Sequence, residues 1–209
     1  MNKLKTFVSA VLAGVCIGIG GTVFLSLDNK IIGSALFTVG LFVICTLGFN
    51  LFTGKVCYVP DNKPSYIIDL VFIWLGNLVG TGMVAVLIRS TRVSASLIEK
   101  AQTLVQVKLD DSLFSIFILA IFCNILIFIA VEGYKTITDG TGRYVALFLG
   151  IMTFILCGFE HCVADMYYVI MAGQINLQAL LVLLVATAGN CVGGILFRLG
   201  ELYVQGKKG

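Results

Sequence analysis

The stretch Gly158-Phe159-Glu160-His161-Cys162-Val163-Ala164-Asp165 places the chain's only histidine and two carboxylic acids inside an apolar run. An ionisable side chain at membrane depth is penalised by about 2.5 kcal/mol or more, so it normally faces a cavity or partner and marks a substrate or ion path. A lone histidine there can donate a hydrogen bond to an anion or relay a proton. The alternative, a histidine merely satisfied by a neighbouring carbonyl, loses ground because the surrounding pattern occurs twice in the chain. The sequence has no G-x-S-x-G, no H-E-x-x-H and no second histidine, so an enzyme is not expected. Cys157, His161 and Cys162 are too irregularly spaced for a zinc site, and most of the seven cysteines read as small core residues. No metal and no cofactor are expected.

Of the 209 residues, 59% are hydrophobic and 12% charged, with a mean hydropathy of +1.04. Soluble domains carry about 25% charged residues, so this is the composition of a polytopic membrane protein embedded in a lipid bilayer. The net charge of +3 is spread over loops and ends without a basic arm, and no nucleic-acid partner is expected. The first apolar run, after Lys3 and Lys5, is about 20 residues long and reads as a retained span rather than the core of a cleaved signal.

Six spans are expected. The first runs from Thr6 to Ser26, with Gly14, Gly18 and Gly21 spaced to let a second helix approach closely. The second, Ile31 to Leu47, meets Gly48-Phe49-Asn50-Leu51-Phe52-Thr53-Gly54-Lys55, whose small and polar residues interrupt it before a short half-helix. The third covers Tyr66 to Ile88, and the polar residues 91–111 form a surface helix or linker. The fourth covers Ser112 to Val131 with Asn124 in its middle. The fifth starts near Tyr144, breaks at His161 and is completed by a half-helix over Asp165 to Ala172, and the sixth covers Leu177 to Leu199.

The two halves correspond. Lys5 precedes the first span as Lys108 precedes the fourth, Gly48-Phe49-Asn50 matches Gly158-Phe159-Glu160, and Gly76-Asn77-x-Val79-Gly80 matches Gly189-Asn190-x-Val192-Gly193, at offsets of 103, 110 and 113. Each unit holds three spans, an odd number, so the second must enter the membrane from the opposite side. The expected architecture is one all-α transmembrane domain, 1–209, built as an inverted 3+3 repeat: repeat one at 1–90, linker at 91–111, repeat two at 112–209. With both termini cytoplasmic, nine cations fall inside (Lys3, Lys5, Lys55, Lys63, Lys135, Arg143, Arg198, Lys207, Lys208) against five outside (Lys30, Arg89, Arg92, Lys100, Lys108), as the positive-inside rule prefers. Interrupted spans at matching places point to a transport path near the midplane, since irregular backbone is tolerated there only where it lines a cavity or is buried in protein.

These residues resemble the formate/nitrite transporter family over nearly the whole chain. The strongest pieces are Gly158-Phe159-Glu160-His161 and Leu51-Phe52-Thr53, supported by Leu4-Lys5-Thr6-Phe7, Gly76-Asn77-Leu78-Val79-Gly80, Cys123-Asn124 and Gly189-Asn190. The resemblance implies an aquaporin-like pentamer of six-span subunits in the cell (plasma or inner) membrane, with one pore per subunit. It implies His161 as the central pore histidine with Glu160 beside it, Thr53 as the hydroxyl facing it, and Asn124 near the pore. It further implies apolar constrictions at Phe37, Leu41, Leu51 and Phe52 and at Phe154 with Ile127, and vestibule cations at Lys5 and Lys108. Two positions depart from the family pattern: Asp165 stands where Asn is frequent, and Asn50 stands where an acid is common.

An anion entering a low-dielectric constriction loses solvation worth several kcal/mol, whereas a neutral weak acid loses far less. A weak-acid anion gathered by lysines and protonated on the way would therefore pass where a bare ion would not. The expected substrates are formate, nitrite, hydrosulfide or short carboxylates, with the proton as a partner. The alternative is an aquaporin-like pore for neutral solutes. It lacks support from a paired Asn-Pro-Ala signature, as the only prolines are Pro60 and Pro64.

Overall fold

A computed structural model describes residues 3–206, and every regular element in that range is helical. In chain order these are α1 (Lys3–Ser26), α2 (Lys30–Phe37), α3 (Val39–Leu47), α4 (Phe52–Val56), α5 (Tyr66–Arg89), α6 (Ser94–Asp110), α7 (Leu113–Thr136), α8 (Gly140–Leu156), α9 (Cys162–Ala172) and α10 (Leu177–Val204), with one 3-10 turn at Val59–Asp61. Five stretches are long and apolar enough to cross a membrane: Lys3–Ser26, Lys30–Leu47, Tyr66–Arg89, Leu113–Thr136 and Leu177–Val204. Such a chain is a multi-pass membrane protein. The remaining apolar stretch is divided between α8 and α9, of 17 and 11 residues, because the backbone leaves the helix at Gly158. Lys207 and Lys208, counted in the loop charges, lie outside the described residues.

Two helix pairs frame the molecule. α1 packs on α5 and α7 packs on α10 at backbone distance. A Cβ at Gly80 would overlap the Val11 carbonyl oxygen, and one at Gly193 would overlap that of Ile121. Only glycine permits this approach, which the Gly-Asn-x-Val-Gly pattern anticipates. Between the pairs lies α9, with nine of its eleven residues buried, so the fold's central axis is a half-helix rather than a full span.

Several boundaries differ from the expected ones, each for a local reason. α8 begins at Gly140 rather than near Tyr144, because the Asp139 side chain accepts the Gly142 N–H and caps the helix. α9 begins at Cys162 rather than Asp165, capped by the His161 ring. The break in the second span ends at Leu51, so Thr53 and Gly54 are helical. The 91–111 stretch is not a loose linker, since Leu97, Ala101 and Val105, four residues apart on α6, are fully buried.

Candidate functional site

Both interruptions are built in the same way. α3 and α8 end one or two residues before glycines with left-handed backbone, Gly48 (φ 71°) and Gly158 (φ 68°), a conformation that costs glycine little. The residues after them turn back, with Phe49 N–H bonded to Ile44 O at 3.0 Å and Phe159 N–H to Phe154 O at 2.9 Å. A buried asparagine then holds each new half-helix. Asn77 Oδ1 accepts the Phe52 N–H at 2.8 Å, and its Nδ2 donates to Asn50 O and Ala10 O at 3.0 and 2.7 Å. Asn190 Oδ1 accepts the Cys162 N–H at 3.0 Å, and its Nδ2 donates to Glu160 O and Ala120 O at 2.9 and 2.8 Å. Each side chain thereby satisfies two backbone groups that its break would otherwise leave orphaned in a dry interior, and ties them to a carbonyl of the helix packed alongside, Ala10 of α1 or Ala120 of α7.

The breaks meet at His161 and Thr53, both buried, with Nε2 and Oγ1 3.0 Å apart. The ring's Nδ1 accepts the Ala164 N–H at 3.1 Å. An acceptor carries no proton, so the neutral ring holds its proton on Nε2 and donates it to Thr53. Phe154 stacks on the imidazole at a centroid distance of 5.5 Å and an angle of 21°, and Phe37 meets Phe154 edge-on at 6.3 Å. One polar pair thus sits against a wall of rings.

Two cavities lie near this centre, and one of them is lined by His161 itself. The larger, about 760 Å³, ends on Phe37, Phe154 and His161. The smaller, about 120 Å³, ends on Leu41 and Leu51. Phe37 and Leu41 are four residues apart along one broken span, a rise of about 6 Å, so the closed layer between the cavities is thin. Phe37 and Phe154, expected at separate constrictions, touch each other. Phe52 is buried but lines a third, apolar cavity with Trp74 and Cys191 between α4, α5 and α10. Ile127 and Asn124 are buried on α7, where Asn124 Nδ2 faces Cys57 Sγ at 3.4 Å and its Oδ1 has no partner among the described residues.

Lys108 does not stand open to solvent in the larger cavity. Its ammonium contacts Glu160 Oε2 at 2.5 Å and Asp165 Oδ1 at 3.0 Å, which ties α6 to the fifth-span break. Burial alone would lower its pKa, but the Asp165 and Glu160 carboxylates outweigh that and raise it above the ordinary lysine value. Lys5 is exposed at the start of α1. Sequence reasoning missed the roles of Asn77 and Asn190, read only as neighbours of packing glycines. Their identical placement in the two halves was the available signal. It also missed that Asp165 shares Lys108, and that Lys55 and Lys135 line the smaller cavity.

A family model described as Formate/nitrite transporter matches residues 1–204. An uncharacterized transporter YrhG of Bacillus subtilis is 32% identical over 190 residues, covering 84% of this chain and 71% of that protein. The formate channel FocA of Haemophilus influenzae is 28% identical over 187 residues, covering 78% of this chain and 65% of that one. Among solved structures, a pentameric formate channel with formate bound superposes with a TM-score of 0.84 at 25% identity, covering 97% of this chain and 96% of the other.

Proposed function

The chain belongs to the formate/nitrite transporter family, and on that premise we propose that it carries small monovalent weak-acid anions such as formate, nitrite, hydrosulfide or short carboxylates, which cross the closed layer as the neutral acid or together with a proton. Membrane anion transport is the activity of the family and of its solved relatives. The observation that carries the finer reading is the His161–Thr53 pair, the polar contact at the end of a 760 Å³ cavity otherwise closed by Phe37 and Phe154.

A bare anion moving past those rings exchanges water for an apolar wall at a cost of several kcal/mol. His161 Nε2–H, now given to Thr53, can turn to an arriving oxyanion and replace one of the lost water bonds. A proton taken up from the vestibule water, with the ring left neutral and its Nε2 proton in place, then removes the anion's charge, and the neutral acid passes the thin layer between Phe37 and Leu41.

The paired asparagines and paired left-handed glycines support an inverted 3+3 repeat, with repeat one at 1–90, residues 91–111 between, and repeat two at 112–209. Six spans then follow if α2–α3–α4 and α8–α9 each count as one broken span. Both termini lie in the cytoplasm and the protein sits in the plasma or inner membrane. Five copies assemble, as in the solved relative, through the apolar outer faces that residues such as Ile67, Val71, Leu75 and Val86 of α5 leave exposed.

The experiment is flux into proteoliposomes with the potential clamped by a potassium ionophore and internal pH recorded. Formate, nitrite and hydrosulfide should enter with internal acidification and faster at lower external pH. Anion current without acidification would overturn neutral passage, and glycerol entry without any anion flux would overturn anion selectivity.

A further inference from the structure

The two cavities differ in charge. The larger is lined by Lys30, Lys100 and Lys108 but also by Asp28, Glu99, Glu160 and Asp165, so its cations are matched by carboxylates. The smaller is lined by Lys55 and Lys135 and by no carboxylate. Lys55, half-buried on α4, has no carboxylate within ion-pair distance among the described residues. Lys135 donates to the Tyr58 hydroxyl, which donates in turn to Glu132, and the direct contact of Lys135 with Glu132 is long, 3.9 Å. A half-buried ammonium without a counter-charge is a costly arrangement that a bound anion relieves.

We propose that the cavity between α3, α4 and α7 is a binding site for one small monovalent oxyanion, held between Lys55 and Lys135 just outside the Leu41 and Leu51 layer. Its volume of about 120 Å³ admits a formate-sized ion with a few waters. The molecule then gathers anions chiefly at this mouth, while Lys108 at the other is spent on Glu160 and Asp165. The site deepens the transport reading and rests on it for its purpose.

Titration of the full chain in nanodiscs with ¹³C-formate, followed by line broadening, reads occupancy directly. Lys55→Gln and Lys135→Gln should each weaken binding about tenfold, more at low salt than at high, and Lys55→Arg should restore it. Unchanged affinity in the double Gln variant, or failure of Lys55→Arg to restore what Lys55→Gln loses, overturns the proposal. Should Lys55→Gln fail to assemble, Lys135→Gln, at an exposed position, carries the same expected shift. Flux by the same proteins in proteoliposomes separates the two claims: wild-type protein that binds formate but passes no anion defeats the transport reading and leaves the site. Wild-type protein that passes formate, with Gln variants that bind and pass it equally, defeats the site and leaves the reading.

Discussion

His161 Nε2 lies 3.0 Å from Thr53 Oγ1, and because Nδ1 is committed to the Ala164 N–H, this contact fixes which ring nitrogen carries the proton. One residue therefore both caps α9 and presents a donor to the path.

Separating these roles gives the first prediction. Asparagine is a strong helix cap, so His161→Asn should keep the Ala164 bond and cost no more than about 1 kcal/mol of stability. It should still change the pH profile or ion selectivity of transport. Thr53→Val, which leaves a buried N–H without an acceptor, should cost about 1–3 kcal/mol, and Thr53→Ser should not. Thermal unfolding and flux against pH check both. An unaltered rate and pH profile in His161→Asn would remove the central role assigned to the ring.

Asn190→Leu should destabilise strongly, since the Cys162 N–H and the Glu160 carbonyl lose their partner together, at about 1–3 kcal/mol for each orphaned group, and the tie to the Ala120 carbonyl of α7 goes with them. Asn77→Leu should behave in parallel. Unfolding midpoints in detergent test this, and a marginal shift in either variant would mean that water reaches the break.

Removing Lys108 should be costly in a different way. Lys108→Met leaves Glu160 and Asp165 buried side by side, for a loss of about 3–5 kcal/mol, and adding Asp165→Asn should recover part of it. The pH dependence follows from its raised pKa. A lysine held above its ordinary value of 10.5 contributes in full below that pH, and its contribution is lost as pH rises through the folded-state pKa. Wild-type stability should therefore decline in the alkaline range above about 10.5 with a component that Lys108→Met lacks. A steady salt dependence of transport in Lys108→Ser, strongest at low ionic strength, would instead mark Lys108 as a collecting charge.

Two glycines of α10 make a matched pair of tests. Gly193→Ala drives a methyl into the Ile121 carbonyl and should force α7 and α10 apart, whereas Gly200→Ala meets nothing within 4 Å and should be neutral or stabilising by up to about 1 kcal/mol. Assembly on size exclusion and the unfolding midpoint distinguish them.

Beyond the family resemblance that pointed to Thr53, the sequence by itself determined the membrane class, the two interruptions at Gly48 and Gly158, and His161 as an ionisable group inside an apolar run. These rest on local properties. Hydropathy over a window reports a span, glycine beside a polar residue reports a break, and an ionisable group in an apolar run reports its own cost. The tertiary structure alone decided partnership. That Lys108 closes on Glu160 and Asp165, that Phe37 leans on Phe154 while Phe52 turns to α5 and α10, and that Lys55 and Lys135 share a cavity without an acid all depend on which helix faces cross. A charge in the sequence carries its sign but not its neighbour, and in a dry interior the neighbour determines whether a lysine collects an anion or holds two carboxylates together.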